Sequence, residues 1–153
     1  MMNCEKPQST RPPITIIVGG YVPSKKNRRI LAFGKSFPPK EFLLWQKAVK
    51  KSVALLTKGS IEPYDADGPC TVSIVFGISD LRRRDIDNMV TSWLDALQEA
   101  GVISDDSWTS VGCVQSRIVY SPKPFSKAVV SSGNDNVDSV VGTIKEAKCH
   151  KKK

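Results

Sequence analysis

The chain has a single histidine, His150, and four cysteines, Cys4, Cys70, Cys113 and Cys149, none of them in a C-x-x-C pair. Ligand spacing of the zinc type is absent, which excludes a zinc-centred site. No apolar run approaches the roughly 18 residues that a membrane-spanning helix needs, and nothing at the amino terminus reads as a secretory leader. A cytoplasmic protein with free thiols, buried or incidental, is expected, with no membrane among its partners. Asp65 and Asp67 lie in a Gly-, Pro- and Asp-rich stretch, but no Glu follows at the position that would close an EF-hand, so this is a loop. No internal repeat is visible.

What is present is ordinary for a soluble globular protein: 153 residues, 40% hydrophobic and 25% charged. That length makes one domain that buries a core without cross-links. The formal net charge is +8, which favours a polyanionic partner, nucleic acid first.

Charge is unevenly spread. Residues 21 to 58 hold ten Lys or Arg and one acid, Glu41, whereas residues 59 to 110 hold three arginines and ten acids. A cation-binding pocket set in a phosphate-attracting surface has this pattern, because a bound metal neutralises the acids while the surrounding cations hold the backbone.

In chain order, Met1 to Pro13 is a loose lead-in and Ile14 to Val18 a β-branched strand closed by Gly19 and Gly20. The loop that follows contains Lys25, Lys26, Asn27, Arg28 and Arg29, a phosphate-contact surface or else a solvated loop. From Pro38 and Pro39 to about Leu56 the pattern is helical, with Phe42, Trp45, Val49, Val53 and Leu56 on one face and lysines on the other. Trp45 belongs to the core in this pattern, not to a base-stacking platform. Cys70 to Ser79 reads as a strand, and Val111 to Tyr120 and Phe125 to Val130 as two more, joined as a hairpin by residues 121 to 124. The expected order is β-α-β-α-β-β, an α+β fold with a small mixed sheet and two main helices packed on it. The domain is expected to span residues 1–130, with a disordered basic tail over 131–153.

Asp80 to Asp106 carries the chemistry. Three arginines, Arg82, Arg83 and Arg84, precede Asp85, Ile86, Asp87 and Asn88. Ile86, Met89, Val90, Trp93, Leu94 and Leu97 then recur at helical spacing, up to Gly101. Asp105 and Asp106 follow in a polar turn that could fold back toward the first acidic pair. Such carboxylates suit Mg²⁺, which takes one or two of them along with water and phosphate oxygens. The competing structural reading is that Asp85 and Asp87 cap a helix and Asp105 and Asp106 shape a turn.

The run from Arg82 to Asn88, the Leu94-Asp95-Ala96-Leu97 helix, and Gly101, Val102, Ile103, Asp105 and Asp106 together resemble the RusA family of Holliday-junction resolvases, most strongly over residues 80 to 120. The resemblance implies a RusA-like fold and a homodimeric, Mg²⁺-dependent endonuclease, with Mn²⁺ as a possible substitute. It would nick four-way DNA junctions symmetrically, in DNA recombination and repair. It also implies that Asp85, Asp87 and Asp106 are catalytic and hold the metal, with Asp105 as the lesser alternative. Arg82, Arg83, Arg84 and the Lys25–Arg29 loop would hold DNA. The family usually has lysine where this chain has Thr91. Two other readings stay open: a branched-DNA-binding protein without catalysis, and a structure-selective nuclease acting on forks or flaps.

Overall fold

The computed structural model describes residues 11–24 and 30–133. The Lys25–Arg29 loop, nearly all of the 131–153 tail and most of the lead-in lie outside these residues.

Eight elements follow in order: β1 (Ile14–Gly19), β2 (Ile30–Ala32), β3 (Lys35–Phe37), α1 (Lys40–Thr57), β4 (Cys70–Ile78), α2 (Ile86–Glu99), β5 (Val111–Tyr120) and β6 (Phe125–Ser132). Four strands form a mixed sheet in the order β1-β6-β4-β5, and the fold is α+β as expected. β1 alternates strictly between buried and exposed residues, with Ile14, Ile16 and Val18 inward. Ser126, Ala128 and Val130 of β6 continue that buried face. The helices cover it: Phe42, Trp45, Val49 and Val53 from α1, and Met89, Trp93, Ala96 and Leu97 from α2. Trp45 and Trp93 meet edge to face at 5.1 Å and lock the two helices together. Trp45 is therefore core, as its spacing indicates. Leu56 lies in the last turn of α1, beyond the last buried residue Val53, and is exposed.

Two features differ from the sequence expectation. Residues 30–37 form a separate two-stranded hairpin whose turn places Phe33 (φ 52°) and Gly34 (φ 71°) in the left-handed region, the signature of a type I′ connection. Furthermore, β5 and β6 are not a hairpin pair. β5 runs parallel to β4 on one side, while β6 runs antiparallel to β4 on the other, so residues 121 to 124 step across the end of β4. Ser121 N–H donates to the Ile78 carbonyl (2.8 Å) and Gly20 N–H to the Pro124 carbonyl (2.8 Å), pinning that crossing. Gly77 is required beneath it, because a Cβ there would come within 2.2 Å of the Phe125 ring.

Candidate active site

β4 delivers the chain to the first acidic pair. Asp85 is the N-cap of α2, and its Oδ1 accepts from the Asp87 N–H (3.2 Å) while Oδ2 accepts from Asn88 Nδ2 (3.1 Å). The local motif thus does two things: it starts the helix, and Asn88 orients the Asp85 carboxylate. Asp85 and Asp87 are both exposed, so each keeps acceptor capacity toward solvent. Two neighbouring carboxylates at a helix N-terminus also meet the positive end of the helix dipole.

A clamp stands beside this pair. Arg84 forks onto both oxygens of Asp80 through NH1 and NH2, and its guanidinium lies over the Tyr21 ring, 4.1 Å from the centroid. The Tyr21 hydroxyl donates to Asp80 Oδ2 (3.2 Å) and shares a hydrogen bond with Ser79 Oγ (2.6 Å). The Arg84 bonds hold the Asp80 carboxyl well below the usual carboxylate range. Nearly two turns into α2, the buried Ser92 Oγ donates to the Pro23 carbonyl (2.9 Å). Tyr21 and Pro23 therefore tie the segment after β1 to the acidic segment. Composition points to no such tie, because the partners lie 58 to 69 residues apart in sequence. Within the arginine run, Arg84 is committed to Asp80 and only half-buried, while Arg82 and Arg83 are exposed.

Asp105 and Asp106 lie elsewhere. Tyr64 N–H donates to the Val102 carbonyl (2.9 Å), Ser104 N–H to Asp65 Oδ1 (2.9 Å), and Cys70 N–H to the Ser110 carbonyl (2.8 Å). Val111 N–H closes the turn onto the Ser107 carbonyl (2.9 Å). These bonds fix the 101–110 loop at the beginning of β4, whereas Asp85 follows its end. The two ends are separated by the nine residues of β4, on the order of 25 Å at strand rise. Among the described residues no group of three or more His, Cys, Asp or Glu is arranged to hold a metal ion. Asp85 and Asp87 come together, and Asp105 and Asp106 come together, but within one chain the pairs do not meet.

The second pair is also divided internally. Asp105 Oδ1 accepts from the Asp106 N–H (2.9 Å), and hydrogen bonding to Ser107 and Asp106 lowers its pKa. Asp105 shapes the turn, which leaves Asp106 as its available carboxylate. Asp65 is likewise structural: burial raises its pKa, but the Ser104 N–H and the Ser110 and Ser104 hydroxyls outweigh that and lower it. Thr91 is turned to the helix itself, its Oγ1 donating to the Asp87 carbonyl (2.8 Å).

A family profile described as Endodeoxyribonuclease RusA matches residues 20–125, well over half of the chain. The chain belongs to the RusA family. RusA proteins are endodeoxyribonucleases that resolve Holliday junctions, so branched DNA is the family's substrate. No curated protein matches the sequence. The RusA match spans the Tyr21 clamp, the hairpin, α1, the acidic helix and the Asp105–Asp106 turn. No helix among the described residues is long and apolar enough to cross a membrane.

Proposed function

We propose that this RusA member is a homodimeric, Mg²⁺-dependent endonuclease that resolves four-way junctions by paired symmetric nicks, using Asp85, Asp87 and Asp106. The carrying observation is the exposed Asp85–Asp87 pair at the N-terminus of α2, oriented by Asn88, inside the family match. Two adjacent carboxylates are hard oxygen donors of the kind Mg²⁺ takes, with water and phosphate oxygens completing its shell, so the donor chemistry fits. When bound, such an ion lowers the pKa of a water and offsets charge on the phosphate.

The chain's own residues supply the rest of the site. Asn88 fixes the Asp85 carboxylate, so little reorganisation is needed on substrate binding. Arg82 and Arg83, exposed beside the acids, would hold backbone phosphates. The Tyr21–Asp80–Arg84 clamp keeps Tyr21 against the same segment, and the Lys25–Arg29 run that follows in sequence would add cations for the same DNA. A dimer accounts for two cuts, one per protomer.

The test is cleavage of a labelled four-way junction by wild type and Asp87→Asn, with Mg²⁺ and with EDTA, beside a binding assay on the same DNA. Paired, metal-dependent nicks from wild type and binding without cutting from the variant support the reading. A second reading, junction binding without catalysis, is favoured by Thr91, whose hydroxyl is spent on the Asp87 carbonyl and which offers no cation. Binding by both proteins with cutting by neither would establish it. Comparing junctions, forks and flaps at matched salt separates a resolvase from a broader nuclease.

A further inference from the structure

We propose that the β2–β3 hairpin is a DNA wedge, and that Phe33 at its tip inserts between the base pairs that flank the branch point of a junction. The inference rests on branched DNA as the substrate, which the family supplies, and not on catalysis. Phe33 is costly to the fold in two ways. Its backbone sits in the left-handed region (φ 52°), where a bulky aromatic residue is rare, and its ring is fully exposed. Asn-Gly is the pair that such a turn favours, so forming the hairpin does not call for phenylalanine. A strained position that also gives up burial points to a use outside the fold.

The form of the hairpin selects its occupant. Among the described strands β2 and β3 pair only with each other, apart from the main sheet. Leu31 and Phe37 are exposed as well as Phe33. Leu31 stands opposite Ser36 and Phe37 opposite Ile30, so alternation puts Leu31 and Phe37 on opposite faces. Apolar groups at the tip and on both faces suit insertion between two stacked surfaces, whereas a protein partner takes one contiguous apolar patch. Charge agrees with DNA: residues 30–40 contain Lys35 and Lys40, both exposed, and no acid. Cations around an apolar tip match bases stacked between phosphates.

Both flanks of the hairpin are held to the middle of α2. On one side the Pro23 carbonyl accepts from Ser92, and on the other Trp45 of α1 packs edge to face on Trp93. Ser92 follows the Asp85 cap by roughly two turns, about 10 Å of helix. DNA that meets the exposed acids at the start of α2 is thus within reach of the hairpin. Insertion has to unstack a base step, and a branch point already interrupts stacking, so the wedge favours junction over duplex.

Wild type, Phe33→Asn and Phe33→Trp are compared in EDTA, so that cutting plays no part. The probes are a four-way junction with 2-aminopurine beside the branch point and a linear duplex of the same sequence, at matched salt. Asparagine suits the turn, so that variant keeps the hairpin, and a circular dichroism melt checks that it folds. Wild type should brighten the junction's 2-aminopurine by unstacking it. Phe33→Asn should lose that signal and bind the junction roughly tenfold more weakly, the loss expected for one aromatic–base stack, with duplex affinity within about twofold of wild type. Phe33→Trp should retain both properties. Phe33→Asn that binds and brightens the junction as wild type does overturns the inference. Equal losses on junction and duplex overturn it too, because they mark a general contact. A shift of Phe33→Asn from dimer to monomer in analytical ultracentrifugation assigns the hairpin to a second copy and also overturns it. Wild type that brightens the junction in EDTA but cuts nothing when Mg²⁺ is supplied removes the nuclease reading and leaves the wedge standing.

Discussion

The two acidic ends of the β4-α2-β5 unit look alike in sequence and differ in how they are built. At the start of α2, helix capping holds Asp85, and the clamp beside it ties the segment to Tyr21 after β1. At the start of β5, Asp65 and the serines 104, 107 and 110 hold a turn in which one acid is structural and its neighbour is free. Each of these pairs has one acid that folds the backbone and one that does not, and among the described residues neither end arranges three carboxylates to hold a metal ion. An acid-rich segment is therefore not one pocket by virtue of its composition.

The largest expected effect separates the ends by function. Asp87→Asn and Asp106→Asn should each lower the rate of junction nicking roughly 10²–10³-fold, the loss typical of removing one charge-stabilising group, with binding largely retained in a gel-shift assay. Asp105→Ala, at the residue beside Asp106, should lose far less activity but lower Tm by a few degrees in a thermal melt, because it removes the acceptor of the Asp106 N–H. Equal kinetic losses at Asp105 and Asp106 would erase the division within the second pair.

A gain should be possible at the first end. Thr91→Lys places a cation one turn after Asp87 at the cost of the hydroxyl bond to the Asp87 carbonyl. The rate should rise about tenfold in single-turnover cleavage, the lower end of what a positioned charge supplies. An unchanged rate would mean that another cation already fills that role.

The clamp sets a pH dependence. The Asp80 carboxyl is held below its ordinary value of 3.8 by Arg84. Its stabilising contribution is therefore present above that value and is lost as the pH falls through the lower folded value. The Tm gap between wild type and Asp80→Asn should be flat from about pH 5 to 8 and close only in strongly acid solution. Asp80→Asn should also raise the KM for junction DNA more than it lowers kcat, since it loosens Tyr21 and Arg84 and leaves Asp85 and Asp87 in place.

The smallest effect lies away from both ends. Phe33 occupies a left-handed turn position that asparagine favours, with its ring fully exposed. Phe33→Asn should stabilise the fold by about 0.5 kcal/mol in a urea titration.

Much of this fold is legible in the residues. β4, α2 and β5 follow from alternation and from the Ile86-to-Leu97 stripe, and the boundaries of β5 agree residue for residue. The β2–β3 hairpin is not legible, because its strands are three residues long, β3 is exposed throughout, and Phe33 is not a residue that signals a left-handed turn. The strand order is also hidden: the short 121–124 link resembles a hairpin turn, and only the sheet shows that it crosses β4. For the site, the Asp85-Asp87-Asn88 motif is readable because cap and helix are local. The place of Asp106 is not, since it depends on the parallel pairing of β4 with β5, and spacing along a chain does not encode strand direction. The Tyr21 clamp stayed invisible for the same reason of distance.

The position of β6 has a consequence for the timing of synthesis. The last strand of the sheet lies between the first strand and β4, so until Phe125–Ser132 has left the ribosome β1 has no neighbour and the β4–β5 pair has one side bare. Closing contacts between residues more than a hundred positions apart is slow compared with helix formation. Helix α2 and its cap can form early, but the sheet that frames the acidic segment is completed by the final strand. A nascent chain thus displays the acidic motif before it has a rigid surface on which to present DNA to it.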